Sequence, residues 1–327
     1  MRESGDRPPQ EGKVASYLAL KDRPKMSVRT GSVNAGHTVI HGGRTYKLRL
    51  TPSAFISPDT QLRVAAGANI DPTVLRSEME SLNLSGRLKV DAMASIIEER
   101  HIAEDRKDPH LAGLVGTTGS GVGPAIADRV LRRARLARDI EELRPMTTGV
   151  SEEVNSALDE GATVHIEGSQ GFYLSLYHGT YPFVTGRDTS TAAVLSEVGV
   201  GPKRVSEVVL VLKSYMTRVG KGPMPGELDS DEAASRGWLE TATVTGRQRR
   251  AAPFDSKLAK TAAVVNGATS LALTKVDVVF PECSMASSID GLSDECLSFV
   301  REVEREVRVP VNYVGTGPRT EDMVVFR

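Results

Sequence analysis

Several features that direct a protein to a membrane, a secretory route or a nucleic acid are missing from this sequence. Its 327 residues include two cysteines, so neither a disulfide framework nor a cysteine metal site is expected. Apolar runs stay well short of the roughly 20 residues of a membrane span, and the charged N-terminus lacks a signal-peptide core. The net charge of −1 gives no electrostatic reason to bind nucleic acid or a membrane. A soluble cytoplasmic protein is predicted.

The dinucleotide-binding pattern is missing as well. No strand-like run leads into Gly-x-Gly-x-x-Gly and a helix with a later acidic residue, which disfavours a Rossmann dehydrogenase. Strand-like and helix-like segments alternate instead, as is typical of an α/β protein. We expect one large domain over residues 1–327, in which helices flank a central, mostly parallel sheet. Residues 1–11 do not fit this pattern.

Apolar runs predict three buried strands, at 207–212, 270–279 and 309–314. The third contains a proline near its beginning, as the first residues of a strand allow. Segments 227–238 and 281–290 are expected to be surface excursions.

Helix signals are equally legible. Asp71-Pro72 supplies an N-cap and a first-turn proline, and a second helix at 151–160 is expected to stop at Gly161. A stripe at helical spacing from Leu292 to Val307 predicts a core-facing helix. Cys296 lies in that stripe and is expected to act as a small hydrophobic residue.

Three segments have the composition of ligand loops. The apolar run 164–167 breaks into Gly168-Ser169-Gln170-Gly171, and 179–185 ends in Thr185. Residues 34–38 combine an amide, a glycine and the imidazole of His37. A lone histidine is more often structural than catalytic, but glycine beside it lets the backbone pass close to a ligand.

A fourth segment, 116–123, is rich in glycine and hydroxyl groups and precedes Pro124. Pro124 is expected to open a helix that runs through Arg132 and Arg135. Free N–H groups and the dipole at a helix start favour phosphate binding. The spacing is that of neither the dinucleotide fingerprint nor the P-loop, so a plain tight turn is the alternative.

A basic segment, 243–250, places three arginines behind two threonines and a glycine. Arginine pairs bidentately with carboxylates, so a loop that closes on a dicarboxylate is as reasonable as a solvated face. Residues 274–277 resemble the lysine-x-aspartate base reader of guanine-binding proteins, a pattern that also arises by chance. The Gly-rich segment 315–318 follows the next predicted strand.

Together these segments resemble adenylosuccinate synthetases, ligases that join aspartate to a 6-oxopurine nucleotide. The resemblance covers roughly positions 12–327, and the length resembles the compact archaeal form. It implies a nucleoside triphosphate as co-substrate, Mg²⁺ as cofactor and a homodimer.

The resemblance also implies a role for individual residues. His37 would be the acid that stabilises charge on the purine 6-oxygen, and Gly36 would offer its carbonyl to Mg²⁺. Arg132 would reach across the dimer interface to the partner's nucleotide. The other residues implied to hold the purine nucleotide are Asn34, Thr118, Gln170 and Thr185. Those implied to bind aspartate are Thr243, Val244, Thr245, Arg247 and Arg249. Those implied at the triphosphate are Gly12, Lys13, Lys275, Asp277, Gly315 and Gly317.

The N-terminus departs from the family. Its members normally begin with an apolar strand that runs into Gly-Asp-Glu-Gly-Lys-Gly, whose aspartate takes the N1 proton and binds Mg²⁺. Here only Met1 is apolar among the first nine residues, Gln10 or a proline stands where the aspartate belongs, and Glu11-Gly12-Lys13 remains. Asp6 could replace it only if two prolines were looped out, so the base is not assigned.

One branch of the family shares this compactness and lacks the loop aspartate. Bacteriophages that replace adenine with 2-aminoadenine use it to join aspartate to dGMP, so dGMP is the favoured acceptor here and the host cytoplasm the expected location. IMP is the alternative acceptor. A catalytically inactive nucleotide-binding homologue and a misassigned start remain open. Lys275 and Asp277 favour GTP as donor, whereas the phage branch is associated with ATP or dATP.

Overall fold

The computed structural model describes residues 11–242 and 244–327. The expectations for residues 1–10, including Asp6 and Gln10, and for Thr243 lie outside the described residues. The α-helices of the described part are α1 Glu11–Asp22, α2 Pro72–Ser81, α3 Glu99–Lys107, α4 Val122–Val130, α5 Val150–Asp159, α6 Thr191–Val198, α7 Ser230–Ser235, α8 Ser256–Asn266, α9 Val276–Val279 and α10 Asp294–Val307. A π-helical segment, Pro109–Val115, lies between α3 and α4.

The strands of the described part are β1 Met26–Arg29, β2 His37–His41, β3 Arg44–Leu48, β4 Gln61–Val64, β5 Asn69–Ile70, β6 Leu88–Asp91, β7 Ser95–Ile96, β8 Thr147–Thr148, β9 Val164–Glu167, β10 Val209–Lys213, β11 Tyr215–Arg218, β12 Arg250–Pro253, β13 Ser270–Thr274, β14 Val311–Gly315 and β15 Met323–Val325.

Two larger sheets organise these strands. Five strands in the order β8-β6-β4-β1-β9 form an all-parallel sheet. Four strands in the order β10-β13-β14-β15 form a second sheet, which is parallel except for β15. Short pairs β2-β3, β11-β12 and β5-β7 lie outside them. The α/β class with a mostly parallel sheet flanked by helices is therefore confirmed.

Helices cover both faces of the five-stranded sheet, as parallel strands require. Val28 of β1 packs with Val150 and Val154 of α5 and with Leu195 of α6. On the second sheet, α10 packs Val300 and its apolar neighbours against β13.

Helix α1 contacts the cores of both sheets. Its Ala19 belongs to the core of the five-stranded sheet, whereas its Val14 packs with Ala272 and Tyr313 of the four-stranded sheet. Among the described residues, no helix is both long and apolar enough to cross a bilayer.

The expected helices are present where their sequence signals place them. The Asp71 carboxylate accepts hydrogen bonds from the backbone N–H groups of Thr73 and Val74 and so caps α2. Gly161 follows α5 with a φ of +75°, and Cys296 is fully buried in α10. The strands near 207–212 and 309–314 are also present, as β10 and β14.

Four sequence expectations are wrong in detail. The strand predicted at 270–279 ends at Thr274, because Lys275 takes a left-handed φ of +62° and a helical turn follows. Helix α4 ends at Val130, and Arg132, with φ +62°, and Arg135 lie beyond it. Segment 227–238 is not merely a surface excursion, because Trp238 is buried against Tyr215. Finally, β10 is half-buried rather than buried along its whole length.

Candidate active site

A large cavity of about 1100 Å³ opens between the two sheets, and we call it the cleft. Its walls include β9, β10 and the loops that follow the carboxyl ends of β1, β9 and β10. Ligands of α/β proteins bind at that edge of the sheet. The sequence-predicted residues that line the cleft are Asn34, Gly36, His37, Thr118, Gln170, Thr185, Val244, Thr245, Arg247 and Arg249.

Three of the residues predicted to bind the nucleotide contact one another. The Gln170 side-chain amide donates to Asn34 Oδ1 and to Thr185 Oγ1, both at 3.2 Å. Gln170 has a φ of +65°. Residues other than glycine rarely adopt this backbone conformation, and those that do are concentrated at functional sites. The side-chain amide of Gln170 therefore joins three segments, which are the loop after β1, the loop after β9 and segment 179–185.

His37 is 1% exposed, lies at the start of β2 and lines the same cleft as this group of polar side chains. Its Nε2 lies 2.9 Å from the carbonyl oxygen of Thr51, so Nε2 carries the proton and donates. Nδ1 has no hydrogen-bond partner among the described residues. Burial, together with the nearby Arg29 charge, lowers the pKa of His37 well below its usual range. The imidazole is neutral at pH 7, and Nδ1 is the nitrogen left for a ligand.

The backbone segment that accepts the hydrogen bond from His37 is fixed by a carboxylate that the sequence did not reveal. Glu78 of α2 accepts hydrogen bonds from the backbone N–H groups of Arg49, Leu50 and Thr51 at 2.6, 3.2 and 2.9 Å. Those bonds fix the segment whose carbonyl orients His37. Glu78 is spaced as an ordinary polar residue of a helix, so the sequence carries no signal for this role.

A buried ion pair supports the loop 34–38 in the same way. Arg29 pairs with Glu167 of β9, and its Nη2 donates to the carbonyl oxygen of Ala35 at 3.0 Å. Glu167 also accepts from the backbone N–H and hydroxyl of Ser53. Charged residues within short apolar strands were the available signal for this pair.

The predicted phosphate loop is built as a series of left-handed turns. Gly116, Gly119 and Gly121 have φ values of +73°, +66° and +75°, and Gly121 immediately precedes α4. The backbone N–H of Gly121 donates to the Asp105 carboxylate at 2.8 Å. A Cβ atom on Gly121 would lie 2.8 Å from the backbone nitrogen of Ile102, so only glycine fits there.

The arginine segment lies against that loop. Arg247 donates to the carbonyl oxygen of Gly116 at 3.4 Å and to that of Thr117 at 3.2 Å. These contacts hold an exposed guanidinium at the rim of the cleft, next to Thr118. The sequence-predicted phosphate and dicarboxylate segments are therefore neighbours.

A second missed group surrounds Glu240, and we call Glu240, Lys213, Arg249, Lys275 and Tyr215 the Glu240 cluster. Lys213 Nζ lies 2.9 Å, Lys275 Nζ 3.4 Å and Arg249 Nε 3.7 Å from the Glu240 carboxylate, and the Tyr215 hydroxyl donates to it at 2.8 Å. Three cations surround one carboxylate, and Lys213 and Arg249 also line the cleft. This excess of positive charge favours an anionic ligand.

Opposing effects set the protonation of this cluster. Burial by itself raises the pKa of Glu240, but the charges of Lys213 and Lys275 outweigh it and hold that pKa at about 2. Burial lowers the pKa of Lys275 to about 8, although Glu240 opposes the change. The Lys275 ammonium group faces Glu240 in this structure, at 3.4 Å from its carboxylate.

The residues predicted at the triphosphate gather around Lys13 of α1. Lys13 Nζ donates to the carbonyl oxygens of Gly317 at 2.5 Å and Asp322 at 2.7 Å. A Cβ atom on Gly315 would lie 2.9 Å from the same Nζ. Burial lowers the pKa of Lys13 to about 8, partly opposed by the charge of Asp277. These residues lie at the carboxyl ends of β13 and β14, outside the lining of the cleft.

Two further predicted residues are also outside the cleft. Gly12 lies against the His37 ring, where a Cβ atom would come within 3.2 Å of Cδ2. Arg132 is exposed and lies outside the lining of the cleft.

The donors available to Mg²⁺ are few. Among the described residues, no group of three His, Cys, Asp or Glu side chains could hold a metal ion. Gly36 lies in the lining of the cleft beside His37. Mg²⁺ commonly keeps its waters and binds substrate phosphates with few protein ligands, so this donor set fits a metal that arrives with a triphosphate.

Comparison with known proteins identifies the family. The family model for adenylosuccinate synthetase matches residues 10–142 and 134–287. Adenylosuccinate synthetase of Methanocaldococcus jannaschii is 47% identical over 321 residues, which cover 97% of this chain and 93% of the relative. The enzyme of that name from Pyrococcus horikoshii is 45% identical over 318 residues, which cover 96% of this chain and 94% of the relative.

Two solved structures share the fold. Fully ligated adenylosuccinate synthetase from Plasmodium falciparum matches with a TM-score of 0.91 at 23% identity, over 99% of this chain and 98% of the other. Succinoaminodeoxyadenylate synthetase of cyanophage S-2L, bound to dGMP and dATP, matches with a TM-score of 0.80 at 27% identity, over 98% and 93%. This chain belongs to the adenylosuccinate synthetase family and is a carbon–nitrogen ligase.

Proposed function

We propose that the protein joins the amino group of L-aspartate to C6 of IMP, with a nucleoside triphosphate as the source of energy. The observation that carries the proposal is the meeting of four loops in one cleft, whose lining includes the linked side chains of Asn34, Gln170 and Thr185 together with His37 and the phosphate loop. Relatives that are 43–47% identical over nearly the whole chain are named adenylosuccinate synthetases, which supports IMP as the acceptor.

The chemistry follows from the weakness of the C6 oxygen as a leaving group. The γ-phosphoryl group is transferred to O6 and the purine loses its N1 proton, which leaves a nucleoside diphosphate and a 6-phosphoryl purine. The aspartate amine then attacks C6, and inorganic phosphate departs with O6. Positioning and charge stabilisation carry most of the catalysis of such transfers.

Each loop has a task in this scheme. Thr118 and the N–H groups of the loop 116–123 hold the 5′-phosphate of IMP at the start of α4. Gln170, Asn34 and Thr185 orient the purine. His37 approaches O6 through Nδ1, and because that nitrogen lacks a proton in the neutral ring, the anionic phosphoryl group must raise the imidazole pKa before Nδ1 can donate.

The cations at the other side of the cleft suit the remaining substrates. Arg247 at the rim grips one carboxylate of aspartate, and Arg249 the other, with Val244 and Thr245 of the same loop beside them. Thr243 belongs to this loop by sequence. The triphosphate binds toward Lys13, Lys275, Asp277, Gly315 and Gly317. The Gly36 carbonyl would be the protein donor to Mg²⁺, which would neutralise charge at the phosphates when bound.

The acceptor dGMP is the second candidate, because the cyanophage enzyme bound to dGMP is 27% identical over 98% of this chain. The sequence by itself favours dGMP, whereas the higher identity of the archaeal relatives favours IMP. We further propose that the chain works as one domain, since the cleft takes its walls from both sheets, and as a cytoplasmic homodimer with Arg132 at the interface.

An acceptor comparison tests the proposal. Phosphate release and product mass are measured with aspartate and Mg²⁺, with IMP or dGMP as acceptor and ATP, dATP or GTP as donor. Turnover on IMP with a product of adenylosuccinate mass supports the proposal, and turnover on dGMP alone replaces it with the second candidate. Nucleotide binding without phosphate release in any combination would make the protein an inactive homologue. Arg305→Lys, on the exposed face of α10, is a matched control for changes at Arg247.

A further inference from the structure

The arginine segment is the return strand of a hairpin that begins at Glu240. The backbone N–H of Arg249 donates to the carbonyl oxygen of Glu240 at 2.8 Å, and that of Ala242 donates to the carbonyl oxygen of Arg247 at 2.9 Å. An antiparallel bridge lies between these two pairs. We call residues 240–249 the arginine hairpin. Arg247 and Arg249 are two positions apart on its return strand, and both line the cleft.

Glu240 attaches this hairpin to the body of the protein. The Glu240 side chain is fully buried, whereas Gly246 and Arg247 near the tip are exposed. The carboxylate lies 2.9 Å from Lys213 Nζ and 3.4 Å from Lys275 Nζ. Lys213 ends β10 and Lys275 directly follows β13, which pairs with β10. The hairpin is therefore bound to the carboxyl ends of two neighbouring parallel strands.

The two oxygens of this carboxylate contact cations from different parts of the candidate site. Oε2 faces Arg249 of the arginine hairpin at 3.7 Å, and it also takes Lys213. Oε1 faces Lys275 at 3.4 Å and accepts the hydrogen bond of the Tyr215 hydroxyl. Arg249 is the cation proposed for aspartate and Lys275 one of those proposed for the triphosphate, so the two regions share one carboxylate.

Lys275 also acts on the other lysine of the triphosphate region. Burial lowers the pKa of Lys13 to about 8, and the positive charge of Lys275 is one of the contributions that lower it. Like charges influence each other in this way at short range. Lys275 therefore lies between Glu240 on one side and the residues around Lys13 on the other.

The Glu240 cluster holds more positive charge than one carboxylate requires. Three cations surround Glu240, and burying a charge without a full partner costs free energy. Charged groups kept in such an environment concentrate at functional sites. Lys213 and Arg249 line the cleft, so the surplus positive charge faces the space that anionic ligands would enter.

We propose that Glu240 is a positioning residue for two substrates, because its Oε2 orients Arg249 toward the aspartate carboxylate and its Oε1 orients Lys275 toward the nucleoside triphosphate. This inference rests on the proposed function. A neutral side chain at position 240 removes the ionic attachment of the hairpin, so both cations lose the orientation that binding requires. The contacts of Gln170, which is assigned to IMP, are made outside the cluster.

Glu240→Gln tests the proposal by kinetics and calorimetry at a temperature where circular dichroism shows the variant folded. The aspartate KM should rise by about 10-fold and the IMP KM by less than about 2-fold, since only the first substrate depends on the cluster. The Kd of the Mg²⁺–triphosphate complex, measured by titration calorimetry without turnover, should also rise by about 10-fold. Ser293→Ala, which removes the N-cap of α10, is a control that destabilises the protein elsewhere and should change neither constant.

Double-mutant cycles distinguish positioning from a general loosening of the fold. Arg249→Met should raise the aspartate KM by itself, and adding Glu240→Gln should raise it no further, because residues that act through each other are not additive. Lys275→Met and Glu240→Gln should show the same behaviour in the triphosphate Kd. Additive effects in the two cycles would overturn the proposal.

Three further results would also overturn it. They are an unchanged aspartate KM and triphosphate Kd in folded Glu240→Gln, an effect confined to one of these two ligands, and an equally large rise in the IMP KM. Failure of the proposed function gives a different result. A wild type that binds the triphosphate but does not turn over IMP contradicts that function, whereas the calorimetric cycle with Lys275 still decides whether Glu240 positions this lysine. A wild type that binds no triphosphate contradicts both.

Discussion

Replacing Glu240 with glutamine removes the carboxylate at the centre of the Glu240 cluster, and the size of the side chain stays the same. Lys213, Lys275 and Arg249 would then face a neutral amide. Because Lys275 is only 3% exposed, water could not solvate its ammonium group in place of the lost carboxylate. Removing one member of a buried ion pair costs about 3–5 kcal/mol of folding free energy, because an uncompensated charge remains.

The pKa of Glu240 gives a second route to the same magnitude. A fall from the usual 4.5 to about 2 corresponds to about 3 kcal/mol of preference for the charged form in the folded protein. Unfolding a chain of this length has an entropy of roughly 0.7 kcal/mol per kelvin, so Tm of Glu240→Gln falls by about 4–7 °C at pH 7.

The pH dependence follows from the sign of the shift. The pKa of Glu240 in the folded state lies below its unfolded value, so the stabilisation is fully present above pH 4.5 and is lost as the pH falls toward 2. The stability difference between the wild type and Glu240→Gln should therefore be largest at pH 6–7 and should shrink as the pH falls from 4.5 toward 2.

Urea unfolding and thermal melts between pH 7 and pH 3 measure this difference. Glu142→Gln is the control, since Glu142 forms an exposed ion pair with Arg76, and such pairs contribute about 0–1 kcal/mol. A Glu240→Gln variant that melts within 1 °C of the wild type at pH 7 would refute the reasoning. A stability difference that stays constant down to pH 3 would refute the electrostatic part of it.

Three other changes separate catalysis, substrate binding and folding. His37→Ala should lower kcat by about 100-fold and change nucleotide KM little, because a proton donor acts mainly in the transition state; steady-state kinetics that show unchanged kcat would remove His37 from the mechanism. Arg247→Lys should raise the aspartate KM by about 10-fold, since a point charge cannot reproduce the bidentate fork, whereas Arg305→Lys should not; an effect confined to the purine nucleotide would contradict the loop assignment. Asp71→Ala should cost about 1 kcal/mol in urea unfolding with activity retained, and a loss near zero would show that the N-cap of α2 is dispensable.

Local sequence signals predicted the parts of the fold that depend on neighbouring residues. The cap at Asp71 and the stop at Gly161 act within one helical turn, so the sequence specifies them directly. The end of β13 was missed because apolar residues continue beyond Thr274, and a left-handed Lys275 has no signature of its own. Propensity alone favours a strand through Val276–Val279, and tertiary packing overrides it.

The same distinction between local and long-range signals applies to the residues of the candidate site. The glycine-rich and arginine-rich loops can be recognised from their composition, and the structure brings Gln170, Thr118 and Arg247 into one cleft. Glu78 accepts hydrogen bonds from backbone groups 27 to 29 positions away, and Glu240 contacts Lys213 and Lys275, which are 27 and 35 positions away in the sequence. Long-range contacts of that kind leave no periodic pattern in the sequence, so only the folded chain reveals these carboxylates.

The most direct test of the proposed ligase chemistry follows the oxygen at C6. IMP labelled with ¹⁸O at position 6 is incubated with aspartate, Mg²⁺, the nucleoside triphosphate and the 327-residue chain, and the released phosphate is examined by mass spectrometry. Transfer of O6 through a 6-phosphoryl intermediate predicts one ¹⁸O in each phosphate released, together with adenylosuccinate. Unlabelled phosphate, or phosphate release without an aspartate adduct, would contradict it.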